Sequence, residues 1–464
     1  MALTYLNNTR TTNNVWLSPR STTYDPNLAV SQTITGGYPA LYHSQHYLVN
    51  GSILLTNNAY QTYSQAAVFT NLTLAANQIG NSVNLTNVSE NISIAFINYG
   101  GGAASTILGT GSTYGNQNVI YFNTNTAIVD AAGNQVNSNL NPGTWGGFIA
   151  MHEQLHVLGL ANNGTGDHGV LISDLRNTIM QYPLGGYTTT TVKIPLTPGM
   201  QNIKDLQTIL GTSQTSSGND SYDFAQTLGP TVVGSVKLGN LGTIINIDPA
   251  KAVMTIWDSG GIDTINAANV STGTYINLNA GRFSAIGTNK NTAPTALFDI
   301  NGDGLSDGNT ANDTTYNVGI AFGASIENAT GGSAADTIVG NALANTILAG
   351  GGNDTIIGGA GTDLLYGQAG ADIFKFLGIS ETKSGDRVCD FGIGDKIDLS
   401  AIDINSNLAG IQHVVFSQLS FTGTITGGIP INWLSGDVNS DGVNDISIYL
   451  TGINSVSASD FILI

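Results

Sequence analysis

The residues with the clearest chemical capacity lie in the segment Met151-His-Glu-Gln-Leu-His-Val-Leu-Gly159. Histidines four residues apart on a helix project from the same face, because four residues make just over one turn. His152 and His156 can therefore share a zinc ion, and Glu153 stands beside them to take a proton from water that zinc activates. Two surface histidines without a metal would give the same five-residue pattern, but Gly159, which permits a sharp turn, favours the zinc site.

These side chains need a helix to position them, and the apolar periodicity predicts one from Thr144 to Leu158. A second helical pattern covers Ala66–Ile79, and a third covers Met200–Leu210 and ends at Gly211. Apolar runs predict strands at Ile92–Ile97 and Val119–Phe122. We therefore expect a two-domain protein, with an α/β domain over residues 1–211 and an all-β domain over residues 212–464.

With Gly159 included, the motif resembles that of the metzincin zinc peptidases, which continues to a third histidine three residues after the glycine. That position is Asn162 here, and the next histidine is His168, after a stretch rich in Gly and Asn. We expect His168 to be the third zinc ligand because imidazole suits zinc better than an amide oxygen. Asn162 and Asp167 remain alternatives for this ligand.

The metzincin resemblance also implies a methionine turn, which Asn177-Thr-Ile-Met180-Gln-Tyr182 fits. Met180 would lie beneath the zinc. The chain is more closely similar to the serralysin branch, in which a tyrosine two residues after that methionine can ligate zinc or stabilise the transition state. The resemblance implies this role for Tyr182, and a core tyrosine is the alternative.

A repeat of nine residues begins at Gly331 and runs without interruption to Lys375 as GGSAADTIV, GNALANTIL, AGGGNDTII, GGAGTDLLY and GQAGADIFK. The period predicts a parallel β-roll in which sixth-position aspartates bind calcium and eighth-position apolar residues point inward. The predicted calcium ligands are Asp336, Asp354, Asp363 and Asp372. The predicted inward residues are Ile338, Ile347, Ile356, Leu365 and Phe374. The second unit has Asn345 in place of Asp, so we expect a weaker site there or one that needs a neighbouring turn.

Two further segments place oxygen ligands at alternate positions before a glycine, as the opening of a calcium loop does. They contain Asp299, Asn301 and Asp303 in the first, and Asp437, Asn439 and Asp441 in the second. Neither has Glu at the twelfth position, which excludes an EF-hand, and a plain Asn/Asp/Gly turn is the alternative. The serralysin resemblance additionally implies calcium ligation by Asp258, Asp263, Glu327 and Asp395.

The composition is sparsely charged and acidic, with 9% charged residues and 31 acids against 13 bases. The excess concentrates in residues 331–464, which favours calcium as a counter-cation and argues against nucleic acid or anionic membranes as partners. No apolar run reaches the roughly 18 residues of a membrane span. The single cysteine, Cys389, excludes an intrachain disulfide, so stabilisation outside the cell would depend on bound metals.

The chain begins without the pattern of a secretory signal peptide. Its last residues, Ser457–Ile464, resemble the uncleaved signal that serralysin-like proteins present to a type I secretion apparatus, and they equally fit a last β-strand. We therefore expect a secreted zinc endopeptidase that cleaves extracellular proteins and folds in calcium. Two alternatives are a calcium-binding surface or adhesive protein with a degenerate peptidase site, and a zinc enzyme of different bond specificity.

Overall fold

A computed structural model describes residues 193–212, 218–227, 233–239, 243–290, 315–383, 385–404, 413–426, 429–439 and 442–464. It also describes seven short strands between residues 6 and 123 and the positions 143, 144, 147, 148, 151, 152, 155, 160, 179 and 292. The chain divides into two compact units. The first comprises Met1–Ser216 with Lys251–Trp257, and the second comprises Ser217–Ala250 with Asp258–Ile464.

The strands up to residue 256 are β1 Leu6–Asn7, β2 Ser18–Pro19, β3 Ala29–Val30, β4 Ser44–Gln45, β5 Asn91–Ile97, β6 Ala104–Ile107, β7 Gln117–Asn123, β8 Ile194–Pro195, β9 Ser221–Thr227, β10 Val233–Leu238, β11 Thr243–Ile245 and β12 Ala252–Ile256. The later strands are β13 Thr264–Val270, β14 Tyr275–Asn277, β15 Phe283–Ser284, β16 Val318–Ile320, β17 Asn328–Thr330, β18 Thr337–Val339, β19 Thr346–Leu348, β20 Thr355–Ile357, β21 Leu364–Tyr366, β22 Ile373–Lys375, β23 Arg387–Val388, β24 Lys396–Asp398, β25 Ser420–Thr426, β26 Ile429–Gly436, β27 Ile446–Thr451 and β28 Phe461–Ile462.

Two α-helices have defined bounds, α1 at Met200–Leu210 and α2 at Ile379–Thr382, and single 3₁₀ turns lie at Pro249–Lys251, Phe416–Gln418 and Ala458–Asp460. No helix among the described residues is long and apolar enough to cross a bilayer. The predicted helix Met200–Leu210 is confirmed with its glycine stop, because the Gly211 amide donates to the Gln207 carbonyl at 2.8 Å. The predicted helix Ala66–Ile79 lies outside the described residues.

In the first unit, β5, β7 and β6 form a mixed sheet, with β5 parallel and β6 antiparallel to the central β7. These strands contain the predicted runs Ile92–Ile97 and Val119–Phe122, which are confirmed. β8 pairs in parallel with β12, and the Leu196 amide extends this pairing by donating to the Val253 carbonyl at 2.8 Å. The complete α/β domain remains a prediction, since only parts of it are described.

The second unit contains two long sheets whose central strands alternate along the chain. One has six strands in the order β14-β18-β20-β22-β24-β28, all parallel. The other has eleven strands, in which β9, β13, β17, β19, β21, β23 and β27 are successive parallel neighbours. Each nine-residue unit thus contributes one strand to one sheet and the next unit contributes to the other, as the repeat predicts for a parallel β-roll.

Strand pairing in the roll joins each residue to the one eighteen positions later, as in Thr337 with Thr355. The spacing increases to twenty-three for Leu364 with Arg387 and for Ile373 with Lys396. The five additional residues lie between β22 and β23, where α2 is placed. The register therefore resumes after an insertion, and both sheets continue beyond the last nonapeptide.

The interior of the roll is built from the middle residue of each short strand. The five eighth-position residues predicted to point inward are each at most 1% exposed, which confirms the prediction. Burying each of these side chains contributes roughly 1.5–3 kcal/mol. The tight turns depend on glycine, for example at Gly359, where φ is 90° and a Cβ would lie 2.4 Å from the Asn341 carbonyl oxygen.

Candidate metal centres

The helix that carries the zinc motif begins at Thr144. The Thr144 hydroxyl accepts a hydrogen bond from the Gly147 amide at 3.2 Å, and the Thr144 carbonyl accepts one from Phe148 at 3.0 Å. Such a side-chain bond caps a helix start. At the described positions, Phe148, Met151 and Leu155 are helical and buried on one face. The helix predicted over residues 144–158 is therefore confirmed at these positions.

His152 lies on this helix and is completely buried. Its Nδ1 atom is 2.6 Å from the carbonyl oxygen of Ile179. Because a carbonyl oxygen can only accept, Nδ1 must carry the proton, and the neutral ring then has its lone pair on Nε2. A backbone carbonyl bound to one ring nitrogen is the usual way in which a metal-binding histidine is oriented. His152 therefore has the tautomer that a zinc ligand needs.

The Ile179 segment is fixed in turn by Asn202, in the first turn of α1. Asn202 Oδ1 accepts hydrogen bonds from the Ile179 amide at 2.8 Å and from the Gly199 amide at 3.2 Å. The side chains of Asn202 and Ile179 are both buried. This relay links α1 to the predicted methionine turn and from there to His152. The sequence did not indicate this role for Asn202, because the Ile179 amide that it accepts lies 23 residues earlier in the chain.

The other predicted residues of the zinc centre lie outside the described residues. They are Glu153, His156, Asn162, Asp167, His168, Met180 and Tyr182. Asp299, Asn301, Asp303 and Asp441 of the two predicted calcium loops also lie outside them.

Sixth-position aspartates of the roll form a ladder of carboxylates along one edge of the six-stranded sheet. Asp354 Oδ1 accepts the Asp336 amide at 2.8 Å, and Asp372 Oδ1 accepts the Asp354 amide at 2.9 Å. Asp395 Oδ1 then accepts the Asp372 amide at 2.9 Å. We call these four residues the first ladder. All four predicted members are thus brought together, each bonded to the backbone of the preceding coil.

A second ladder runs beside the other sheet. Asp263 Oδ1 accepts the Asp220 amide at 2.7 Å, and Glu327 Oε2 accepts the Asp263 amide at 2.8 Å. Further along, Asp363 Oδ1 accepts the Asn345 amide at 2.8 Å, and Asp386 Oδ1 accepts the Asp363 amide at 2.9 Å. The second ladder is therefore Asp220, Asp263, Glu327, Asn345, Asp363 and Asp386. Its members Asp220 and Asp386 were not predicted.

In both ladders, buried carboxylates have too few hydrogen-bond donors to offset the loss of hydration. Asp263, Asp354, Asp363 and Asp372 are at most 1% exposed, and the Oδ2 of each has no hydrogen-bond partner among the described residues. Burial raises the pKa of Asp263, Asp354 and Asp363 to about 7, and repulsion from nearby carboxylates adds to the effect. Buried oxygens of this kind suit a hard cation that prefers oxygen ligands, as calcium does.

One group of acids converges at the start of the second ladder. Carboxylate oxygens of Asp220, Asp258 and Asp263 all lie within 4.8 Å of one another. The Tyr222 hydroxyl donates to Asp258 Oδ2 at 2.9 Å. Burial and the neighbouring acids raise the pKa of Tyr222, so it stays a donor. These residues fit a calcium ion, and the predicted Asp258 and Asp263 lie together with the unpredicted Asp220.

The loop after Asp437 is held by a buried acid that was not predicted. Asp445 Oδ2 accepts the Val438 amide at 3.1 Å and the Asn439 amide at 3.3 Å, and its Oδ1 lies 3.0 Å from Lys383 Nζ. Asp437 Oδ2 accepts the Gly442 amide at 2.8 Å. These bonds supply the carboxylates with protein donors, which favours the turn interpretation here.

Residues 245–300 and 297–463 match the family model of the peptidase M10 serralysin C terminal. Metallopeptidase AprA of Pseudomonas marginalis is 34% identical over 264 residues, which cover 56% of this chain and 48% of that protein. Metalloprotease AprA of Pseudomonas entomophila (strain L48) is 35% identical over 288 residues, 58% of this chain and 52% of that protein. Serralysin A of Dickeya chrysanthemi is 37% identical over 293 residues, which cover 61% of this chain and 53% of that protein.

The chain therefore spans about half the length of the curated relatives that it matches. A solved structure, the AlgE6R3 subunit of the Azotobacter vinelandii mannuronan C5-epimerase, matches 28% of this chain and 78% of that chain at 26% identity. Its TM-score of 0.20 is too low to support a shared overall fold. The C-terminal part is thus similar to the serralysin C-terminal region, and the curated relatives are named as metalloproteases or serralysins.

Proposed function

We propose that this protein is a secreted zinc endopeptidase that hydrolyses peptide bonds of extracellular proteins and is stabilised by calcium. The observation that carries the proposal is the orientation of His152 within the His-Glu-x-x-His segment, where Nδ1 donates to the Ile179 carbonyl. The metalloprotease relatives support the same conclusion. His152, His156 and His168 would hold zinc, with Asn162 or Asp167 as the alternative third ligand.

Zinc, when bound, supplies a Lewis acid that lowers the pKa of water towards about 7. Glu153 follows His152 directly and would accept the proton from the attacking water. Tyr182 would donate a hydrogen bond to the oxygen on which negative charge develops, and this charge grows only as the carbonyl is attacked. Met180 would support the site from below.

Calcium would be held by the two carboxylate ladders and by the Asp220, Asp258 and Asp263 group. Inside the cell, where calcium is scarce, mutual repulsion of the aspartates would oppose folding of the roll. Outside, bound calcium would offset that repulsion. The type I secretion apparatus would recognise Ser457–Ile464, which includes the β28 strand, and neither nucleic acid binding nor membrane insertion forms part of the proposal.

The second candidate is a calcium-binding surface or adhesive protein with a degenerate peptidase site. Asn162, at the position where the metzincin motif has histidine, favours it. The ladders would suffice for that function, which needs neither the acid of Glu153 nor the phenol of Tyr182, and their presence in the sequence therefore favours the peptidase.

The test is zinc content by elemental analysis, together with casein hydrolysis, on the calcium-loaded protein. We expect one zinc per chain and activity in the wild type, loss of both in His168→Ala, and loss of activity alone in Glu153→Gln. His413→Ala is the matched control, because His413 belongs to the second unit and its Nδ1 bonds the Ser400 carbonyl. Zinc retained in His168→Ala would move the ligand role to Asn162 or Asp167. A wild type without zinc would favour the surface protein, and activity in Glu153→Gln would refute the general-base assignment.

A further inference from the structure

Asn345 occupies the sixth position of the second nonapeptide, where the other four units have aspartate. It is 1% exposed, and every polar atom of its side chain is bonded. Its Oδ1 accepts the Asn341 amide at 2.9 Å. Its Nδ2 donates to the Glu327 carbonyl at 2.7 Å and to Asn341 Oδ1 at 3.0 Å. The side chain is therefore neutral and satisfied by the protein.

The aspartates at equivalent positions differ in the direction of their bonds. Asp354, Asp363 and Asp372 each accept the amide of the residue eighteen positions earlier in their ladder, and each keeps one oxygen that no described donor reaches. At Asn345 the link to the coil eighteen residues earlier is reversed, because the side chain donates to a carbonyl. These three aspartates leave a negative oxygen that needs a cation, whereas Asn345 presents hydrogens. Asp336 differs from them, because its two oxygens accept the Thr274 and Gly332 amides, each at 2.6 Å.

Asn341 completes this arrangement. It stands at the second position of the same unit, and its Nδ2 donates to the Ile326 carbonyl at 2.8 Å and to the Leu278 carbonyl at 3.1 Å. Its Oδ1 accepts the Leu343 amide at 2.9 Å in addition to the Asn345 bond. Backbone carbonyls are good calcium ligands, and three carbonyls from earlier coils are bonded here to side-chain amide hydrogens instead.

We propose that Asn345, together with Asn341, replaces a cation in the second nonapeptide turn, so that this turn closes without calcium while the three later turns, which contain Asp354, Asp363 and Asp372, require it. The proposal rests on the calcium binding proposed above. The second ladder is then divided into two groups of cation sites, one that includes Asp263 and Glu327 and one that includes Asp363 and Asp386. A calcium-independent coil between them would hold β17 and β19 in register before the other sites are filled.

The test is calcium stoichiometry of the full chain by equilibrium dialysis, with thermal unfolding measured in saturating calcium and in chelator. Asn345→Asp exchanges the donating amide for a carboxylate oxygen, so we expect one more calcium per chain than in the wild type. In chelator its unfolding temperature should fall below that of the wild type, and saturating calcium should restore it. Asn454→Asp is the matched control, because the same charge is added at an exposed position outside the repeats and calcium stoichiometry should not change.

Three outcomes would overturn the proposal. One is a calcium stoichiometry in Asn345→Asp equal to that of a calcium-binding wild type. Another is an Asn345→Asp protein that does not fold even in saturating calcium, because the cation should then replace the lost amide. A wild type that binds no calcium would overturn both this proposal and the calcium role in the proposed function, and the wild-type measurement separates that case from the first two.

Discussion

Asn202 is the residue on which the orientation of His152 depends, although it is fifty residues away in the sequence. Its carbonyl oxygen accepts two buried backbone amides, and one of these belongs to Ile179, whose carbonyl receives the His152 proton. Each residue of this relay can bond in only one direction, because backbone amides donate and carbonyl oxygens accept. The position of His152, the predicted zinc ligand, is thereby linked to the start of α1.

We expect Asn202→Leu to weaken zinc binding by roughly 10–100-fold, the usual effect of losing a group that orients a ligand. The substitution keeps the size of the side chain and leaves the Ile179 and Gly199 amides without their acceptor. Asn202→Asp retains an acceptor and should bind zinc more tightly than Asn202→Leu. The measurement is the zinc dissociation constant by competition with a chromophoric chelator.

Gln201→Leu is the control for Asn202→Leu, since the neighbouring Gln201 side chain donates to Asp205 Oδ1 in the same helix at 2.7 Å and takes no part in the relay. Its zinc affinity should equal that of the wild type. Equal affinities for Asn202→Leu and Gln201→Leu would show that the relay does not act on the metal.

Residues in a regular pattern could be predicted from the sequence, and residues outside it could not. The fixed period identified Asp336, Asp354 and Asp372, and the first ladder contains all three. Asp386 was missed because five inserted residues separate it from its coil, although Asp386-Arg-Val388 repeats the Asp-x-apolar end of a nonapeptide turn. Asp220 lies shortly after the predicted domain boundary at residue 211, and no local pattern indicates that a distant acid will approach it.

At the scale of elements, each nonapeptide strand has a buried middle residue between two residues that are partly or fully exposed. In β21, Leu365 is 1% exposed and the adjacent Leu364 is 38% exposed. Successive side chains of a strand point to opposite faces, so the two leucines have the same chemistry and different surroundings. They therefore offer a direct comparison of interior and surface.

We expect Leu365→Ala to lower the free energy of unfolding of the calcium-loaded roll by about 2–5 kcal/mol, because it leaves a cavity in a close-packed interior. Leu364→Ala should change it by no more than about 0.5 kcal/mol, as is usual for surface substitutions. Denaturant unfolding followed by circular dichroism would measure both. Similar losses for the two variants would contradict the inside-outside assignment of β21.

Element boundaries followed the sequence where local signals were strong, as at α1 with Gly211 and in the nonapeptide strands. The repeats predicted two alternating sheets but not how far each extends. At one end of the eleven-stranded sheet β13 pairs with β9, and towards the other end β23 pairs with β27. These pairings join residues far apart in the sequence, such as Thr264 with Ser221 and Arg387 with Tyr449. Short apolar runs carry no information about such partners.

At the scale of the whole molecule, the formal net charge of −18 includes buried aspartates whose ionisation opposes folding, so we expect stability to respond to both protons and calcium. The folded-state pKa of Asp263, Asp354 and Asp363 is about 7, well above the ordinary value for aspartate. A raised carboxyl pKa means that the fold favours the protonated form, so this contribution is complete below about pH 4 and is lost as pH rises through about 7. Calcium would bind only the deprotonated carboxylates, so the stability that bound calcium adds should increase with pH rather than decrease.

We therefore expect the unfolding temperature in chelator to fall between pH 5 and pH 8, and the stabilisation added by saturating calcium to grow over the same range. Thermal unfolding of the full chain by circular dichroism, with and without calcium, would measure this. Asp398, whose pKa is lowered by its bonds to Lys375 and Ser400 despite burial, acts in the opposite direction but titrates below this window. A calcium effect that is the same at both pH values would refute the role of the buried aspartates.

The register of eighteen residues has a consequence for how such a chain can change in length over evolution. A duplication of two nonapeptides would add one complete coil and leave every later strand in its own sheet. A duplication of one nonapeptide would move every later strand into the other sheet, so that β28 would lie on the opposite side of the roll. We therefore expect the roll to lengthen by duplication of pairs of nonapeptides. Insertions such as the one containing α2 lie between strands and do not change which sheet the later strands join.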